Sequence, residues 1–178
     1  MKYVDITYKI GIDVGSTTLK IIVLDAANDV VYKSYKRHKA NINKVFAEEM
    51  NLITTQFPEA GFRVKITGSA GMGISERTGI PFIQEVVASV EVIKKIYPDT
   101  HTMIDLGGED SKMVFLSKGR QPDNRMNGSG AGGTGSFIDQ MADLMNIPIE
   151  EPGREAIGHE KIYPVATRRA VSAKTDVQ

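Results

Sequence analysis

The first forty residues alternate short apolar runs with small polar turns, which is the pattern of consecutive β-strands. We expect strands over residues 8–13, 19–25 and 30–39, joined by turns at 15–18 and 26–29. Such short connections predict an antiparallel meander.

After the meander, the apolar residues recur with the spacing of an α-helix. An apolar stripe predicts a helix over residues 42–57, with Asn41 as its N-cap and Pro58 as its stop. A second stripe predicts a helix over 85–97, in spite of its β-branched residues.

The remaining segments are shorter. Strands are expected over residues 63–67, 102–106 and 112–116, with a loop at 68–73, a hairpin turn at 118–119, a helix over 136–145 and a less regular segment over 146–178. Strands interleaved with helices predict an α/β fold with a mixed sheet.

Composition excludes several classes of function. The formal net charge is zero, so no overall field attracts nucleic acid or an anionic membrane, and the basic cluster at 33–39 is interpreted as the solvated side of a strand. The chain has no cysteine and only three histidines, which excludes disulfides and thiolate ligands and disfavours zinc. No apolar run would span a membrane and the N-terminus is not a signal peptide, so we expect a cytoplasmic protein.

The first candidate site lies at residues 11–20, where an acid ends one strand and a small-residue turn leads into the next. Asp13 is a hard oxygen ligand that suits Mg²⁺ through bound water, and Gly15 permits close approach of the backbone. The phosphate donors would come from the turn and the strand after it: Ser16, Thr17, Thr18 and Lys20. Taken alone, the same residues could form an ordinary hairpin turn with local hydrogen bonds.

The second candidate site, at residues 104–112, repeats this design. Asp105 ends a strand, and Gly107, Gly108 and Asp110 follow it. Two such hairpins could hold one phosphate chain from opposite sides, with Asp13 and Asp105 sharing the Mg²⁺.

Together, residues 13–20 and 105–108 resemble the phosphate-1 and phosphate-2 motifs of the superfamily of actin, sugar kinases and heat-shock chaperone ATPases. Within it the chain resembles the BadF/BadG/BcrA/BcrD-type ATPases, the activators of 2-hydroxyacyl-CoA dehydratases and benzoyl-CoA reductases. Shorter matching stretches occur at 67–69, 84–85, 126–127, 133–135 and 137–139.

The resemblance implies a ribonuclease H-like (actin-like ATPase) lobe over residues 1–120 and the start of a second lobe over 121–178. It implies ATP or ADP with Mg²⁺ as ligand, a homodimer in the longer parent protein, and a 2-hydroxyacyl-CoA dehydratase or related reductase component as partner. Members of this family drive an electron from a [4Fe–4S] cluster into that partner. Glu85 or Glu109 would orient the attacking water, while Glu85 could equally be a first-turn glutamate favoured by the helix dipole.

Two departures from the family pattern concern the cluster. The family's cysteine ligands correspond to Gly130 and Arg169 here, and neither side chain can replace a thiolate. We therefore expect this chain not to bind the cluster. It also lacks the adenosine-binding Gly-Gly motif, so it is expected to be part of a longer protein.

The stretch MNGSGAGGTGSF, residues 126–137, contains the string G-x-G-x-x-G. It follows the short segment 122–127, and no clear second strand ends in a ribose-binding acid about twenty residues further on. Two better phosphate motifs lie upstream, so a dinucleotide site is not supported. We interpret it as a glycine-rich entry to the helix that begins near Ser136.

Two other functions remain open at this point. An acyl or sugar kinase of the same superfamily would need a substrate-oriented aspartate that the sequence does not identify. A non-catalytic dimerisation or docking module would retain the fold without turnover.

Overall fold

A computed structural model describes residues 7–117, 119–127, 133–166 and 169–177 of the chain. The fold divides into two compact units, of which one ends at Pro98 and the other begins at Asp99. The lobe boundary expected between residues 120 and 121 stays a prediction. In the described part of the chain, no helix is long and apolar enough to cross a membrane.

The first unit is built on a four-stranded sheet of β1 (Thr7–Val14), β2 (Thr18–Leu24), β3 (Val30–Arg37) and β4 (Gly61–Thr67). Its strand order is β3-β2-β1-β4, with antiparallel pairing along the first three strands and parallel pairing between β1 and β4. The predicted meander and the mixed sheet are confirmed.

Three helices accompany this sheet: α1 (Ile42–Gln56), α2 (Met72–Thr78) and α3 (Glu85–Ile96). The sequence predicted α1 and α3 from their apolar stripes, but it placed a loop where α2 begins. With seven residues, α2 is too short to show a helical period, and it ends at Gly79 with a φ of 71°.

The predicted role of Asn41 needs a correction. Asn41 does occupy the N-cap position of α1, but its side chain makes no capping hydrogen bond. Its backbone N–H instead donates to the carbonyl of His38 over 2.7 Å, so the turn before the helix is held through the main chain.

The alternation of buried and partly exposed residues along β1 and β2 determines which face of the sheet holds the candidate site residues. The buried core is formed by every second residue of these strands and by one isoleucine each from α1, β4 and α2: Ile10, Ile12, Val14, Leu19, Ile21, Val23, Ile53, Ile66 and Ile74. The intervening residues, among them Asp13 and Lys20, therefore lie on the opposite face.

The second unit holds an antiparallel sheet of β5 (Thr102–Leu106), β6 (Ser111–Phe115) and β7 (Asp123–Met126), in that order. Strands β5 and β6 were predicted, whereas β7 was not. They form a sheet of their own, separate from the sheet of the first unit.

Three helices follow this sheet: α4 (Gly135–Met145), α5 (Pro152–Ile157) and α6 (Ala170–Val177). Helix α4 was predicted within one residue. The segment 146–178 was expected to be less regular, and two short helices that the sequence did not predict, α5 and α6, lie in it. Helix α5 buries no residue and α6 buries only Ala173, so neither leaves an apolar stripe to recognise.

Candidate functional site

The turn between β1 and β2 is closed by the main chain, because the Gly15 N–H donates to the Thr18 carbonyl over 2.9 Å. Ser16 and Thr17 are half-buried at its tip, so their donors remain accessible. Thr18 is buried at 6% exposure, which leaves its hydroxyl less available to a ligand than the other two.

Asp13 lies beside this turn at the end of β1, directly across from Lys20 on β2. The Lys20 ammonium donates to Asp13 Oδ2 over 2.7 Å. Asp13 Oδ1 is buried and has no hydrogen-bond partner within the described residues. One carboxylate oxygen is thus engaged, and the other is available to a metal-bound water.

Lys20 is held as a cation by its surroundings. Burial lowers the pKa of this ammonium, but the hydrogen bond and charge of Asp13, with contributions from Tyr35 and Glu85, raise the pKa above its usual value. Its Nζ also lies 5.8 Å from the centre of the Tyr35 ring, a cation–π contact across β2 and β3.

The end of β4 lies next to Asp13. Thr67 is the register neighbour of Asp13, and its Oγ1 is buried without a hydrogen-bond partner in the part of the chain that is described. Gly68 follows with a φ of 93°, and a Cβ there would stand 2.4 Å from both Asp13 Oδ1 and the Val14 carbonyl oxygen. Only glycine fits, which gives a physical reason for the Thr67-Gly68 pair that the sequence identified only by resemblance.

Glu85 is the first residue of α3 and is half-buried. Because its charge contributes to raising the pKa of Lys20, the structure brings it near the Asp13–Lys20 pair. A cavity of about 360 Å³ extends from this pair along the sheet towards the start of α3, and its lining is Gly11, Ile12, Asp13, Lys20, Ile22, Lys65, Ile66, Thr67, Ile83 and Ala88.

The second hairpin, between β5 and β6, is equally constrained. Asp105 is half-buried opposite Lys112, and the Gly107 N–H donates to the Asp110 carbonyl over 2.8 Å. A Cβ at Gly107 would stand 2.5 Å from Asp110 Oδ1 and 3.1 Å from the Asp110 carbonyl oxygen, so a side chain there would displace the Asp110 carboxylate. Asp110 pairs with Lys112 at 3.2 Å, while Glu109 is exposed.

The start of α4 is hydrogen-bonded to this hairpin. The Gly135 N–H donates to the Gly107 carbonyl over 2.9 Å, and the Ser136 N–H donates to the Gly108 carbonyl over 2.8 Å. The Thr134 hydroxyl adds a 2.9 Å hydrogen bond to the same Gly108 oxygen. Two carbonyl oxygens that would repel a phosphate are therefore engaged by the helix instead.

The glycine-rich stretch is thus a helix entry, as predicted, for its described residues 133–137. Gly130 lies outside the described residues, whereas Arg169 is exposed immediately before α6. No group of three or more His, Asp and Glu side chains within the described ranges is placed to hold a metal. Asp13 and Asp105 belong to different units.

One residue beside the first turn was not predicted as part of the site. His38, interpreted from the sequence only as part of a basic cluster, is 3% exposed, and its Nε2 lies 3.0 Å from the Gly15 carbonyl oxygen. No local signal marks it, since the contact joins positions 23 residues apart. Its neighbours Lys33, Lys36 and Arg37 are exposed, which agrees with a solvated strand.

A family model and individual related proteins identify the same family for this chain. Residues 10–168 match the BadF/BadG/BcrA/BcrD ATPase family. The (R)-2-hydroxyglutaryl-CoA dehydratase activating ATPase of Acidaminococcus fermentans is 27% identical over 175 residues. The 2-hydroxyisocaproyl-CoA dehydratase activator of Clostridioides difficile is 29% identical over 174 residues. Each match covers 96% of this chain but only 66% and 64% of the two relatives, so the chain spans about two thirds of their length.

Solved structures agree. The activator of 2-hydroxyisocaproyl-CoA dehydratase from Clostridium difficile, with bound ADPNP, superimposes with a TM-score of 0.81 at 27% identity, over 95% of this chain and 63% of that one. Component A of the Acidaminococcus fermentans (R)-2-hydroxyglutaryl-CoA dehydratase gives a TM-score of 0.80 at 25% identity, over 96% and 66% of the two chains.

Proposed function

Because the chain belongs to the BadF/BadG/BcrA/BcrD ATPase family, we propose that it forms the phosphate-binding part of an ATPase that activates a 2-hydroxyacyl-CoA dehydratase. The observation that carries the proposal is the pair of acid–glycine hairpins, at Asp13–Gly15 and at Asp105–Gly107, in each of which packing or hydrogen bonding constrains the glycine-rich turn. The names of the relatives and the ADPNP bound to the Clostridium difficile activator support a nucleotide as the ligand.

The roles of the first hairpin follow from its hydrogen bonds. Asp13 would hold a Mg²⁺-bound water through Oδ1, the buried oxygen that has no partner in the described structure. Lys20 would hold that carboxylate in place through its hydrogen bond to Oδ2. Ser16 and Thr17 would donate to phosphate oxygens from the accessible tip of the turn.

The second hairpin would supply matching groups. Asp105 would act as the second acid towards the Mg²⁺ water shell, and the turn of Gly107 and Gly108 would approach the phosphate chain closely. Asp110 would hold the turn in shape through its backbone carbonyl and through Lys112.

Glu85 is the better of the two candidates for orienting the attacking water. Its charge acts on Lys20, so it lies near the carboxylate that would bind the Mg²⁺ shell. Glu109 is exposed, although it directly follows the glycines. Geometry around the nucleophile decides such a role, and the effect of Glu85 on the pKa of Lys20, the partner of Asp13, supports Glu85.

The chain does not fit a [4Fe–4S] cluster, since it has no cysteine and a cluster needs thiolate ligands. We therefore propose nucleotide-dependent activation without proposing an electron-transfer step for this chain. A homodimeric parent protein, a cytoplasmic location, and a dehydratase or related reductase component as partner complete the proposal.

A binding experiment tests the phosphate site. We expect ADPNP to bind the full chain in a Mg²⁺-dependent manner in isothermal titration calorimetry, and a chelator to abolish the heat. Asp13→Asn and Asp105→Asn should each weaken binding about ten- to hundredfold, because each removes an acid that holds the metal's water shell. Asp123→Asn, an exposed acid paired only with Arg125 at 3.3 Å among its described ion pairs, is the matched control and should bind as wild type.

Unchanged affinity in both site variants would refute the assignment. The product of turnover distinguishes an ATPase from a kinase. An ATPase transfers the phosphoryl group to water and yields inorganic phosphate, whereas a kinase transfers it to a small-molecule acceptor. A docking module would bind no nucleotide and would give a defined oligomer in light scattering.

A further inference from the structure

His38 contacts the first phosphate turn through both its ring and its backbone. Its Nε2 lies 3.0 Å from the Gly15 carbonyl oxygen, and its backbone N–H donates to the Thr17 carbonyl over 3.2 Å. The turn is therefore held from the end of β3, two strands away from the acid that begins it.

The ring contact specifies which nitrogen must carry a proton. A carbonyl oxygen can only accept, so Nε2 must carry a proton and donate to it. Nδ1 is buried and finds no hydrogen-bond donor among the described residues. An apolar side chain would fill this space without burying an unpaired nitrogen, so the hydrogen bond to the turn is what histidine adds.

The two hydrogen bonds orient two peptide planes of the turn. In a trans peptide the C=O and the following N–H point in opposite directions. Engaging the Gly15 carbonyl therefore sets the direction of the Ser16 N–H, and engaging the Thr17 carbonyl sets that of the Thr18 N–H. Both carbonyl oxygens are also kept turned towards His38, where they cannot repel an anion.

We propose that His38 is a positioning residue that aligns the Ser16 and Thr18 N–H groups of the turn towards a polyphosphate ligand. The proposal rests on the proposed phosphate-binding function of that turn. His38 does not touch the ligand, and it acts only through the orientation of the peptide planes.

A variant series on the full chain tests this role, with Mg·ADPNP and Mg·tripolyphosphate as probes. His38→Leu fills the space but cannot donate, so both probes should bind about three- to tenfold more weakly, the equivalent of one lost hydrogen bond. His38→Gln retains an amide donor and should recover most of the affinity. Tyr32→Phe, which removes the 2.8 Å hydrogen bond to Glu49 from the same strand, is the control for general loosening of β3 and should bind as wild type.

The outcomes separate the two proposals. If wild type binds neither probe, the phosphate-binding function itself is wrong. If wild type binds the probes, and both His38→Leu and His38→Gln bind them as tightly as wild type does, the positioning role is wrong. If both His38 and Tyr32 variants lose affinity in proportion to their loss of stability in urea, His38 is merely structural and the proposal fails.

A spectroscopic measurement keeps the proposal testable should His38→Leu not fold. Ring ¹⁵N NMR of the wild-type chain should show a proton on Nε2 of His38, with and without Mg·ADPNP. A spectrum of the Nδ1-protonated tautomer would contradict the hydrogen bond on which the role depends.

Discussion

At the scale of single residues, the site depends on the different surroundings of the two oxygens of Asp13. Oδ2 accepts from Lys20, whereas Oδ1 is buried against Gly68 and has no described hydrogen-bond partner. The Asp13–Lys20 pairing follows from the tight hairpin of β1 and β2, and strand alternation places both on the face opposite the core. The approach of Gly68 depends on the parallel pairing of β1 with β4, which local sequence does not reveal.

Gly68→Ala should destabilise the fold by about 2–4 kcal/mol. A Cβ would stand 2.4 Å from Asp13 Oδ1 and from the Val14 carbonyl oxygen, and its φ of 93° adds backbone strain. Urea denaturation measures the change. Gly79→Ala is the matched control, since its φ of 71° carries the strain but nothing lies within 4 Å of a Cβ there.

The control should cost only about 1 kcal/mol, the penalty for a left-handed alanine. The difference between the two variants isolates the close approach to Asp13. Equal costs would mean that the backbone at Gly68 relaxes away from the carboxylate, and that the glycine there serves conformation alone.

At the scale of elements, apolar periodicity predicted α1, α3 and α4, because each presents an apolar stripe. It could not reveal how α4 is joined to the β5–β6 hairpin. Those hydrogen bonds link Gly135 and Ser136 to carbonyls 28 residues earlier, and the closest contact of a Cβ at Gly135 would be the Gly107 carbonyl oxygen at 3.2 Å. Glycine at position 135 thus permits close packing of α4 against the hairpin, and it is not part of a dinucleotide-binding motif.

A buried glutamate on helix α1, which the sequence did not mark, joins this helix to β3 through polar contacts. Glu49 is 0% exposed, accepts from the Tyr32 hydroxyl over 2.8 Å and forms an ion pair with Lys36. Burial alone would raise the pKa of this carboxyl, but hydrogen bonds from Lys36, Ser34 and Tyr32 outweigh burial and hold the pKa below its usual range.

This lowered pKa predicts a pH dependence of stability. A group whose folded pKa is depressed contributes stability above its ordinary pKa, about 4.3 for glutamate, and loses it as the pH falls from there through the folded value. Glu49→Gln should lower the free energy of unfolding at pH 7 by about 1.5–3 kcal/mol, the value of hydrogen bonds to a charged group. It should also flatten the decline of stability between about pH 5 and pH 3.

Denaturation curves at several pH values measure both effects. Glu48→Gln is the control, because Glu48 is exposed on the same helix and only 3.9 Å from Lys44 in an i,i+4 pair. A Glu49→Gln variant whose stability declines with acid as steeply as wild type would show that Glu49 does not carry the pH dependence.

At the scale of the whole molecule, the resemblance to dehydratase activators and the α/β actin-like fold class are confirmed by the family match and the solved relatives. Prediction succeeded here because the two acid–glycine motifs are short and continuous in sequence. The site roles and the lobe boundary at residue 120 stay predictions. The first compact unit ends at Pro98.

Because the chain has no cysteine, we predict that it does not assemble a [4Fe–4S] cluster on its own. Anaerobic reconstitution with iron and sulfide should leave the wild type without a cluster. A Gly130→Cys, Arg169→Cys double variant supplies two thiolates per protomer and should gain about four iron atoms per dimer. Iron and sulfide analysis with size-exclusion chromatography measures this, and the two single variants are the controls. A double variant that stays iron-free would mean that these positions are not the altered ligand sites.

By itself the sequence determined strands β1 to β6, the longer helices, the two acid–glycine motifs, the family resemblance and the lack of thiolate ligands, because each depends on neighbouring residues or on composition. Only the tertiary structure decided that His38 holds the Gly15 turn, that Gly68 must lack a side chain beside Asp13, and that α4 begins on the carbonyls of Gly107 and Gly108. Each of these contacts joins positions from 23 to 55 residues apart in the chain. Such contacts depend on strand pairing and helix placement, which local propensity does not encode.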